Sequence, residues 1–498
     1  MKRFLATVAV ALAVLAAPCA GGGAFAQEAP PFDTFFQDGA LRLECAFVGD
    51  AKSEVITLDR LVQEPLWPGS TAALLDPFPY GQFAVELYDV ATNRKIYSRG
   101  FDCMFGEYQT TAPAQAGVQR CFLRSLHVPY PKHPALLVLV KRDKEHVAHP
   151  VLTRRIDPSD PHILREAGDP LDEAVEILKG GEPHSRVDLA FLSEGYTAQD
   201  RGKFLADARR FAGWLFEVEP YRSLKGRFSV RAVFRPSAER GADEPRQGIS
   251  KRTALGASFN ALDLDRYLLI EDGRTLREMA SRVPCDAVVV LVNSPRYGGG
   301  GIYNDYCAAT VDNERSRGTF LHEFGHSFAG LADEYYLSEV SYNDFYPKGV
   351  EPTEPNITAY LSPGLLKWGD LVPPGAALPT EWGKEEVDAL ELEKRKSKAA
   401  REAAAARARA EGAPEAEVRK AEDGFGEAEA ELDRKIAEIL KRYPGVEDAV
   451  GLFEGAGYSS KGLYRPQMHC MMGNTSVGEF CRVCQRAIRS VIEANSSP

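Results

Sequence analysis

The first part of the chain is patterned in short runs of β-branched and aromatic residues separated by clusters of turn-forming residues. Between residues 40 and 157 these runs have the length and composition of strands, with turn clusters such as DPFPYG between them. The clearest runs are LRLECAFVG, QFAVELYDV, KIYSRGFDC, QRCFLRSLHV and ALLVLVKRD. Several short strands at this spacing predict an all-β sandwich, which we place at residues 31–158 as an accessory domain. Its scattered histidines are expected to have surface or structural roles: His127, His133, His146 and His149.

The pattern changes after a segment rich in proline and aspartate at residues 156–170, which we interpret as a linker. Apolar strand-like runs now alternate with helical periodicity, which predicts an α/β domain over residues 160–498. The predicted strands are RVDLAFLSEGY, FSVRAVFRP and DAVVVLVN, and the predicted helices are residues 197–218 and 276–283. Thr197 is a natural N-cap for the first helix. The continuous apolar character of DAVVVLVN is typical of a strand buried inside a mixed sheet.

Four consecutive glycines at residues 298–301 precede the run IYNDYCAATV. They are not a phosphate-binding loop, because no Gly-Lys-Ser/Thr sequence follows and no helix is predicted to begin there. We expect a flexible rim followed by one strand that lies over the next helix. An exposed edge of that strand could pair with an extended peptide, and a purely structural hairpin is the alternative.

Residues 383–443 differ from their surroundings, since they are rich in alanine and in charges of both signs. Two helical stretches flank a break at Gly412-Ala413-Pro414, which predicts an antiparallel helical hairpin inserted into the second domain. We interpret it as a solvated insertion on the rim of a cleft. An arm that gates substrate or binds a partner is the alternative.

The N-terminus has the three parts of a signal peptide, predicted at residues 1–26. Lys2 and Arg3 form the positive region, a run of apolar residues follows, and Ala24-Phe25-Ala26 matches a cleavage site. This predicts an exported protein, periplasmic or secreted. Cys19 could instead be a lipidated cysteine, although Pro18 directly before it disfavours that reading. No later apolar run reaches the length of a membrane span.

Length and net charge limit the number of domains and the classes of partner. A chain of 498 residues is too long for one ordinary core, so two or three domains are expected. The formal net charge of -11 argues against nucleic acid as a partner, because no basic surplus exists to neutralise phosphates.

The strongest chemical signal is HEFGHSFAGLADEYY at residues 322–336. Residues four apart share one face of a helix, so His322 and His326 can offer both imidazoles to one metal ion. Glu323 is then placed for a general base that acts on a water beside that ion. Gly330 can end the helix in the left-handed conformation that glycine adopts readily.

The chain then returns a pair of carboxylates, Asp333 and Glu334, towards the metal. Either can be the third ligand, and Asp333 is favoured. Three protein ligands with an open fourth position are typical of a catalytic zinc site, so Zn²⁺ is the expected cofactor. His469 is a further candidate ligand on residue type alone. Two helix histidines with no metal, on a solvated or core face, are the plainer alternative.

Removal of Cys19 leaves eight cysteines, and an even number in an exported chain predicts disulfides. Cys470, Cys481 and Cys484 could instead be three zinc ligands. No fourth cysteine or well-spaced histidine completes such a site in the sequence, so we favour a disulfide.

Several motifs in this order resemble the M64 metallopeptidases, the IgA-peptidase family. They are VDLAFLSEGYTAQD, HEFGHSFAGLADEYY, EPNIT, GLFEGAGYSSKGLYRP, CMM and FCRVC, which together span most of residues 186–490. The resemblance implies a metzincin-like zinc endopeptidase with His322 and His326 as ligands and Glu323 as general base. It also implies that CMM is a Met-turn, with Met471 or Met472 under the zinc.

The sequence departs from the common metzincin motif in the spacing after the first histidine and in the type of third ligand. Gly330 and Asp333 each fall one residue later than in that motif, and Asp333 replaces a histidine. The third ligand therefore stays open between Asp333 and Glu334. The resemblance does not explain the insertion at residues 383–443.

These observations predict an exported zinc endopeptidase that acts on protein or peptide substrates. Four tyrosines are candidates to stabilise the oxyanion formed during hydrolysis: Tyr335, Tyr336, Tyr458 and Tyr464. A non-catalytic exported binding protein that keeps a zinc-peptidase fold is the alternative, and a zinc hydrolase acting on something other than protein is a third hypothesis.

Overall fold

The computed structural model describes residues 29–165, 168–264, 267–336, 345–410 and 426–496. The predicted signal peptide at residues 1–26, with Cys19, lies outside the described residues, and so does the predicted break at Gly412-Ala413-Pro414. Within the described ranges, no helix is long and apolar enough to cross a membrane.

The N-terminal region contains two four-stranded sheets, with strand orders β5-β1-β2-β8 and β4-β3-β6-β7. The strands are β1 Phe36–Gly49, β2 Glu54–Glu64, β3 Phe83–Asp89, β4 Lys95–Phe101, β5 Arg120–Pro131, β6 Ala135–Arg142, β7 Ala148–Ile156 and β8 Leu164–Arg165. Three short helices accompany them: α1 Phe32–Phe35, α2 Met104–Tyr108 and α3 Ala112–Gln115. The five strands predicted from the sequence correspond to β1, β3, β4, β5 and β6. β2 and β7 were not predicted, because partly exposed polar residues interrupt their apolar pattern.

The C-terminal region is built on a six-stranded mixed sheet of order β13-β14-β12-β10-β11-β9. Its strands are β9 Glu173–Leu178, β10 Val187–Glu194, β11 Phe228–Phe234, β12 Ala287–Val292, β13 Gly299–Ile302 and β14 Tyr306–Thr310. The four inner strands are parallel, and the two edge strands are antiparallel to their neighbours. Every residue of β10 and β12 is buried, as the continuous apolar sequence of β12 predicts. A short hairpin of β15 Phe453–Ala456 and β16 Ser459–Arg465 lies outside this sheet.

Helices pack against the mixed sheet and carry the candidate site. They are α4 Arg201–Leu215, α5 Gly273–Ala280, α6 Ser316–Ala329 and, at the C-terminal end, α9 Arg482–Asn495. The predicted cap at Thr197 is confirmed, because its hydroxyl and the Asp200 carboxylate form a capping box before α4. Phe211 of α4 contacts Phe320 of α6, and both helices share one apolar core with the sheet.

The glycine run is a strand, and the prediction of a flexible rim followed by one long strand is wrong. Gly299–Ile302 form β13, residues 303–305 form a turn, and β14 returns antiparallel beside β13. A Cβ atom on Gly301 would lie 2.3 Å from the backbone oxygen of Glu323 in α6. Glycine is therefore needed because the edge strand lies directly against the helix, and the sequence could not reveal that close approach.

The predicted helical insertion consists of α7 Lys384–Ala410 and α8 Gly426–Leu440. Lys394 of α7 forms an ion pair with Asp433, and Glu386 pairs with Arg442 at 2.7 Å, just beyond the end of α8. Glu386 precedes Lys394 in the sequence, whereas its partner Arg442 follows Asp433, so the two helices run antiparallel. The base of the insertion packs on Trp382 and Phe453.

The N-terminal sheets hold the turn between β13 and β14. Arg124 of β5 forms a buried ion pair with Asp305 at 2.7 Å and donates a hydrogen bond to the Asn304 carbonyl at 2.7 Å. The Asn304 side chain donates to the Gly100 carbonyl at 2.6 Å, and the Asp102 N–H donates to the Tyr303 carbonyl at 3.0 Å. One apolar core also continues from the N-terminal sheets to β12 and β14. The N-terminal region is therefore an integral support of the strand that borders the candidate site.

Candidate metal centre and active site

Helix α6 and the turn after it bring the predicted metal ligands together. Gly330 ends the helix in the left-handed conformation, at φ 57° and ψ 33°, as predicted. Its N–H donates to the His326 carbonyl at 3.0 Å, and the Leu331 N–H donates to the Gly325 carbonyl at 3.3 Å. This closed end reverses the chain and returns Asp333 to the two histidines.

The two histidines direct the same ring nitrogen at one point. The His322 Nδ1 lies 3.1 Å from the Met471 carbonyl oxygen, and the His326 Nδ1 lies 2.6 Å from the Leu331 carbonyl oxygen. A carbonyl can only accept, so each Nδ1 carries the proton and each Nε2 keeps its lone pair in the neutral ring. The two Nε2 atoms are 3.1 Å apart. Two lone pairs that face each other at this distance repel, and either a proton on one nitrogen or a metal ion between them removes that repulsion.

Asp333 supplies an oxygen to the same point. Its Oδ1 lies 3.1 Å from His322 Nε2 and 3.3 Å from His326 Nε2. Among the described residues this buried oxygen has no hydrogen-bond donor. Nitrogen and oxygen ligands about 2.0–2.1 Å from a tetrahedral zinc are separated by about 3.3 Å, so these three residues fit a zinc ion.

Electrostatics in the cluster are those of a site that attracts a positive charge. Burial raises the pKa of the Asp333 carboxyl, but the two imidazoles outweigh it and hold that pKa well below its usual range. Burial lowers the pKa of His326, but the Asp333 carboxylate overcomes this effect and raises it to about 9. Asp333 is therefore a full anion in a buried position, which is the state that ligates a cation.

Glu323 is half-buried and lines the same cavity as the three candidate ligands. The cavity has a volume of 1240 Å³, and the edge-strand residues Gly299, Gly300 and Gly301 form part of its wall. The cavity thus brings a carboxylate, a candidate metal cluster and a strand edge to one place.

The four candidate tyrosines separate into two groups. The Tyr458 hydroxyl donates a hydrogen bond to Asp333 Oδ2, and the Tyr335 ring stacks beside His322 with ring centres 6.4 Å apart. Tyr336 instead donates to Asp388 of the insertion at 2.5 Å, and Tyr464 contacts Tyr360. Only the first two lie at the cluster.

Tyr458 fixes the orientation of Asp333. Burial and the neighbouring carboxylate raise the pKa of Tyr458 well above its usual range, so the hydroxyl keeps its proton and donates it to Oδ2. Oδ1 is thereby left to face the histidines. The backbone of Tyr458 has a φ of 63°, and its N–H donates to the Tyr335 carbonyl at 3.1 Å. A strained residue held in this way indicates that its position matters to the site.

We expect Tyr458→Phe to weaken zinc binding by about 10- to 100-fold, because an outer hydrogen bond that orients a ligand is lost while the ring is kept. Competition with a chromogenic chelator would measure the affinity. Tyr464→Phe is the matched control and should leave it unchanged. Equal affinities of the Tyr458 variant and the wild type would contradict this role.

The two methionines of the predicted Met-turn are fully buried behind α6. The Met471 carbonyl accepts from His322, whereas the Met472 sulfur lies only 2.9 Å from the position of a Cβ on Gly325. Cys470 and Gly473 close a turn around them with a hydrogen bond of 3.0 Å. The Met-turn stays a prediction. The Met471 backbone contacts the His322 ring, and the Met472 side chain packs against α6 at Gly325.

The remaining candidates lie elsewhere. Glu334 points away from the histidines, into a group with Cys470, Cys481 and Cys484. His469 is half-exposed, 4.0 Å from Glu447, and is absent from both candidate metal clusters of the described residues. Contrary to the predicted disulfides, none of the eight cysteines among the described residues forms a disulfide.

The sequence did not indicate that the N-terminal region lines the cavity. Tyr80, Asp102, Lys141, Arg142 and His146 form part of its wall. Burial raises the pKa of Asp102 to about 6, so this wall contains a carboxyl that titrates near neutral pH. Lys141 and Arg142 lie in β6 and the other three lie between strands, so no local spacing could have identified them.

The helical insertion also borders the cavity. Val387, Glu391 and Arg395 of α7, with Ile436 and Leu440 of α8, are among the lining residues. The predicted position on the rim of the cleft is consistent with these contacts. Its role as a gating or partner-binding arm stays a prediction.

Comparison with protein families defines the class of the protein as a peptidase preceded by an N-terminal domain. The family model described as IgA Peptidase M64 matches residues 175–492, and the one described as Peptidase M64 N-terminus matches residues 31–153. The chain belongs to the M64 peptidase family, which confirms the resemblance seen in the sequence. A search of curated proteins gave no match.

Proposed function

We propose that this chain is a zinc-dependent endopeptidase in which Glu323 is the general base. The observation that carries the proposal is the convergence of two histidine Nε2 atoms and one Asp333 oxygen within 3.1–3.3 Å of one another. A carboxylate in the same cavity completes the set of groups that metal-assisted hydrolysis needs.

His322, His326 and Asp333 would hold the zinc ion, which supplies a more acidic water and a polarised carbonyl when it is bound. Glu323 takes the proton from the attacking water and then delivers it to the leaving amine nitrogen. Tyr458 keeps Asp333 in position through Oδ2, and the Met471 and Leu331 carbonyls keep the imidazoles in the tautomer that ligates.

The substrate is an extended polypeptide segment that pairs with the outer edge of β13. Leu268 already donates to the Gly299 carbonyl at 3.2 Å, so the remaining edge towards Gly301 is the part that recognises a substrate backbone. An edge strand offers the same hydrogen bonds to any extended chain. A cavity of 1240 Å³ is large enough for several residues of such a chain.

We also propose a sandwich arrangement for the two N-terminal sheets. Phe47 of β1 contacts Phe83 of β3 and Phe101 of β4, with ring centres 5.4 and 6.5 Å apart. These rings belong to different sheets, so their contact supports face-to-face packing. The antiparallel edge strand above α6 and the buried methionines below it support a metzincin-like arrangement of the peptidase domain.

Export is the proposed destination, on the pattern of the first 26 residues. Lys2 and Arg3, the apolar run and the Ala24-Phe25-Ala26 site support a cleaved signal peptide.

The test is cleavage of unfolded casein by the zinc-loaded protein, with mass spectrometry to detect new N-termini. Chelation should stop the appearance of new N-termini, and zinc but not magnesium should restore it, because the three candidate ligands suit zinc better than an oxygen-preferring ion. A zinc-loaded protein that produces no new N-termini would favour the binding-protein hypothesis. A hydrolytic product without a new peptide terminus would favour a different class of substrate.

A further inference from the structure

A second group of candidate metal ligands lies behind the Asp333 turn. Glu334, Cys470, Cys481 and Cys484 are all buried, and one ligand atom from each lies within 4.8 Å of the others. Three thiols and a carboxylate are the donor types that bind zinc. The sequence alone showed three of these ligands, and the turn after α6 contributes the fourth.

The distances within the group fit the corners of a tetrahedron. Cys470 Sγ and Cys484 Sγ are 3.6 Å apart, and Glu334 Oε1 lies 3.1 Å from Cys484 Sγ and 3.8 Å from Cys481 Sγ. With zinc–sulfur bonds of about 2.3 Å, tetrahedral sulfurs are separated by about 3.8 Å, and sulfur and oxygen by about 3.5 Å. A disulfide would instead require the two sulfurs at about 2.05 Å.

The backbone is arranged to stabilise thiolates. The Cys481 N–H donates to Cys470 Sγ at 3.3 Å, and the Cys484 N–H donates to Cys481 Sγ at 3.4 Å. Cys481 is also the N-cap of α9, so its sulfur lies at the positive end of the helix dipole. Such hydrogen bonds from outside the ligand shell are typical of built metal sites.

Glu334 supplies the independent sign that a cation belongs here. Its side chain is buried with 1% of its surface exposed, and its Oε2 is a buried oxygen that lacks a hydrogen-bond donor among the described residues. Asn356 donates to Oε1 at 3.0 Å and so holds the carboxylate towards the sulfurs. A disulfide between two of the cysteines would leave Glu334 buried without a cation, so that it could remain there only as the protonated acid.

We propose that Glu334, Cys470, Cys481 and Cys484 form a second, structural zinc site. Four protein ligands and complete burial leave no open position for a substrate, which distinguishes it from the centre on α6. Its role is to join three segments. Glu334 follows the candidate ligand Asp333 and donates its N–H to the Met472 carbonyl at 2.9 Å, and Cys470 precedes Met471, whose carbonyl orients His322.

The decisive experiment measures zinc in the His322→Ala variant, which removes a ligand of the first centre and leaves the second untouched. We expect the wild-type protein to bind two zinc ions and the variant to retain one. A thiol-specific mercurial should release that retained ion, because its ligands are thiolates. A retained ion that the mercurial does not release, or no retained ion, would overturn the proposal. The outcome does not depend on peptidase activity.

A thiol map separates the zinc site from a disulfide without any variant. The wild-type protein is denatured without reductant in the presence of chelator and an alkylating agent, and its peptides are analysed by mass spectrometry. Alkylation of Cys470, Cys481 and Cys484 in full is the expected result. A disulfide between any two of them would overturn the proposal.

Cys484→Ser, with Cys121→Ser as the matched control, tests the site directly. Cys121 is exposed and lies outside the group, so its loss should leave two zinc ions bound. Loss of one ion from the Cys484 variant alone is expected, together with loss of the thiolate-to-metal charge-transfer absorption in the cobalt-substituted protein. Two bound ions in the Cys484 variant would overturn the proposal, and the thiol map decides if that variant does not fold.

Discussion

Replacement of Glu323 by glutamine is expected to lower the rate of peptide hydrolysis by roughly 10²- to 10⁴-fold, the usual contribution of a general base. Glutamine keeps the shape of the side chain but cannot accept the proton of the attacking water. The three candidate ligands are untouched, so the zinc content should equal that of the wild-type protein. Initial rates of casein cleavage and metal analysis of the same samples would measure both quantities.

Glu314→Gln is the matched control for this prediction. The substitution of Glu314 removes the same charge at a position just before α6, but the Glu314 side chain is exposed to solvent. Its cleavage rate should be close to that of the wild type. Near-normal turnover by the Glu323 variant would rule out the proposed mechanism, whereas zinc loss from it would mean that Glu323 supports the ligands rather than the proton transfer.

Replacement of Asp305 by asparagine is expected to lower the free energy of unfolding by roughly 3 kcal/mol, a typical effect of leaving a buried charge without its partner. Asp305 lies 2.7 Å from Arg124, and Arg277 is 3.6 Å away on the same oxygen. All three side chains are nearly inaccessible to solvent. Asparagine would leave the guanidinium groups of Arg124 and Arg277 without a carboxylate partner at the turn between β13 and β14.

Glu271→Gln provides the comparison, since Glu271 also pairs across the two regions, with Arg120 at 2.6 Å. That pair is exposed, so its loss should change the free energy of unfolding by less than about 1 kcal/mol. Urea denaturation followed by tryptophan fluorescence would give both midpoints. Similar shifts in the two variants would show that burial of the Arg124 pair does not contribute to stability.

The features that could be predicted from the sequence are those encoded over a few neighbouring residues. His322 and His326 share one face of a helix because they are four residues apart. Gly330 ends that helix because glycine adopts the left-handed conformation, and Asp333 follows shortly after it in the sequence. The fully apolar strand β12 was equally clear, since burial on both faces leaves no polar position in it.

The features that could not be predicted depend on contacts between distant segments. Tyr458 could not be ranked above the other tyrosines until its hydroxyl was seen on Asp333. Glu334 competed with Asp333 for the first centre in the sequence, although its side chain completes the group of Cys470, Cys481 and Cys484. The glycine run could not be interpreted from the sequence, because glycine is required there by the close approach of helix α6.

The N-terminal region shows the same limit on a larger scale. Its strands were predicted from local pattern, but its contribution to the cavity wall and to the β13–β14 turn was not. Polar residues of β5, β6 and the segments between strands carry these contacts, and their side chains look like ordinary surface residues in the sequence.

The groups that orient the candidate metal ligands lie late in the chain, and this position determines when the centre can become ordered. The carbonyl that orients His322 belongs to Met471, and the hydroxyl that orients Asp333 belongs to Tyr458. Synthesis proceeds from the N-terminus, so a nascent chain that already contains the histidine helix still lacks both orienting groups. A chain that stops before residue 458 would carry the complete HEFGH sequence without an ordered centre. The candidate ligands therefore become oriented only after the segment that contains Tyr458 and Met471 has been synthesised and folded onto helix α6.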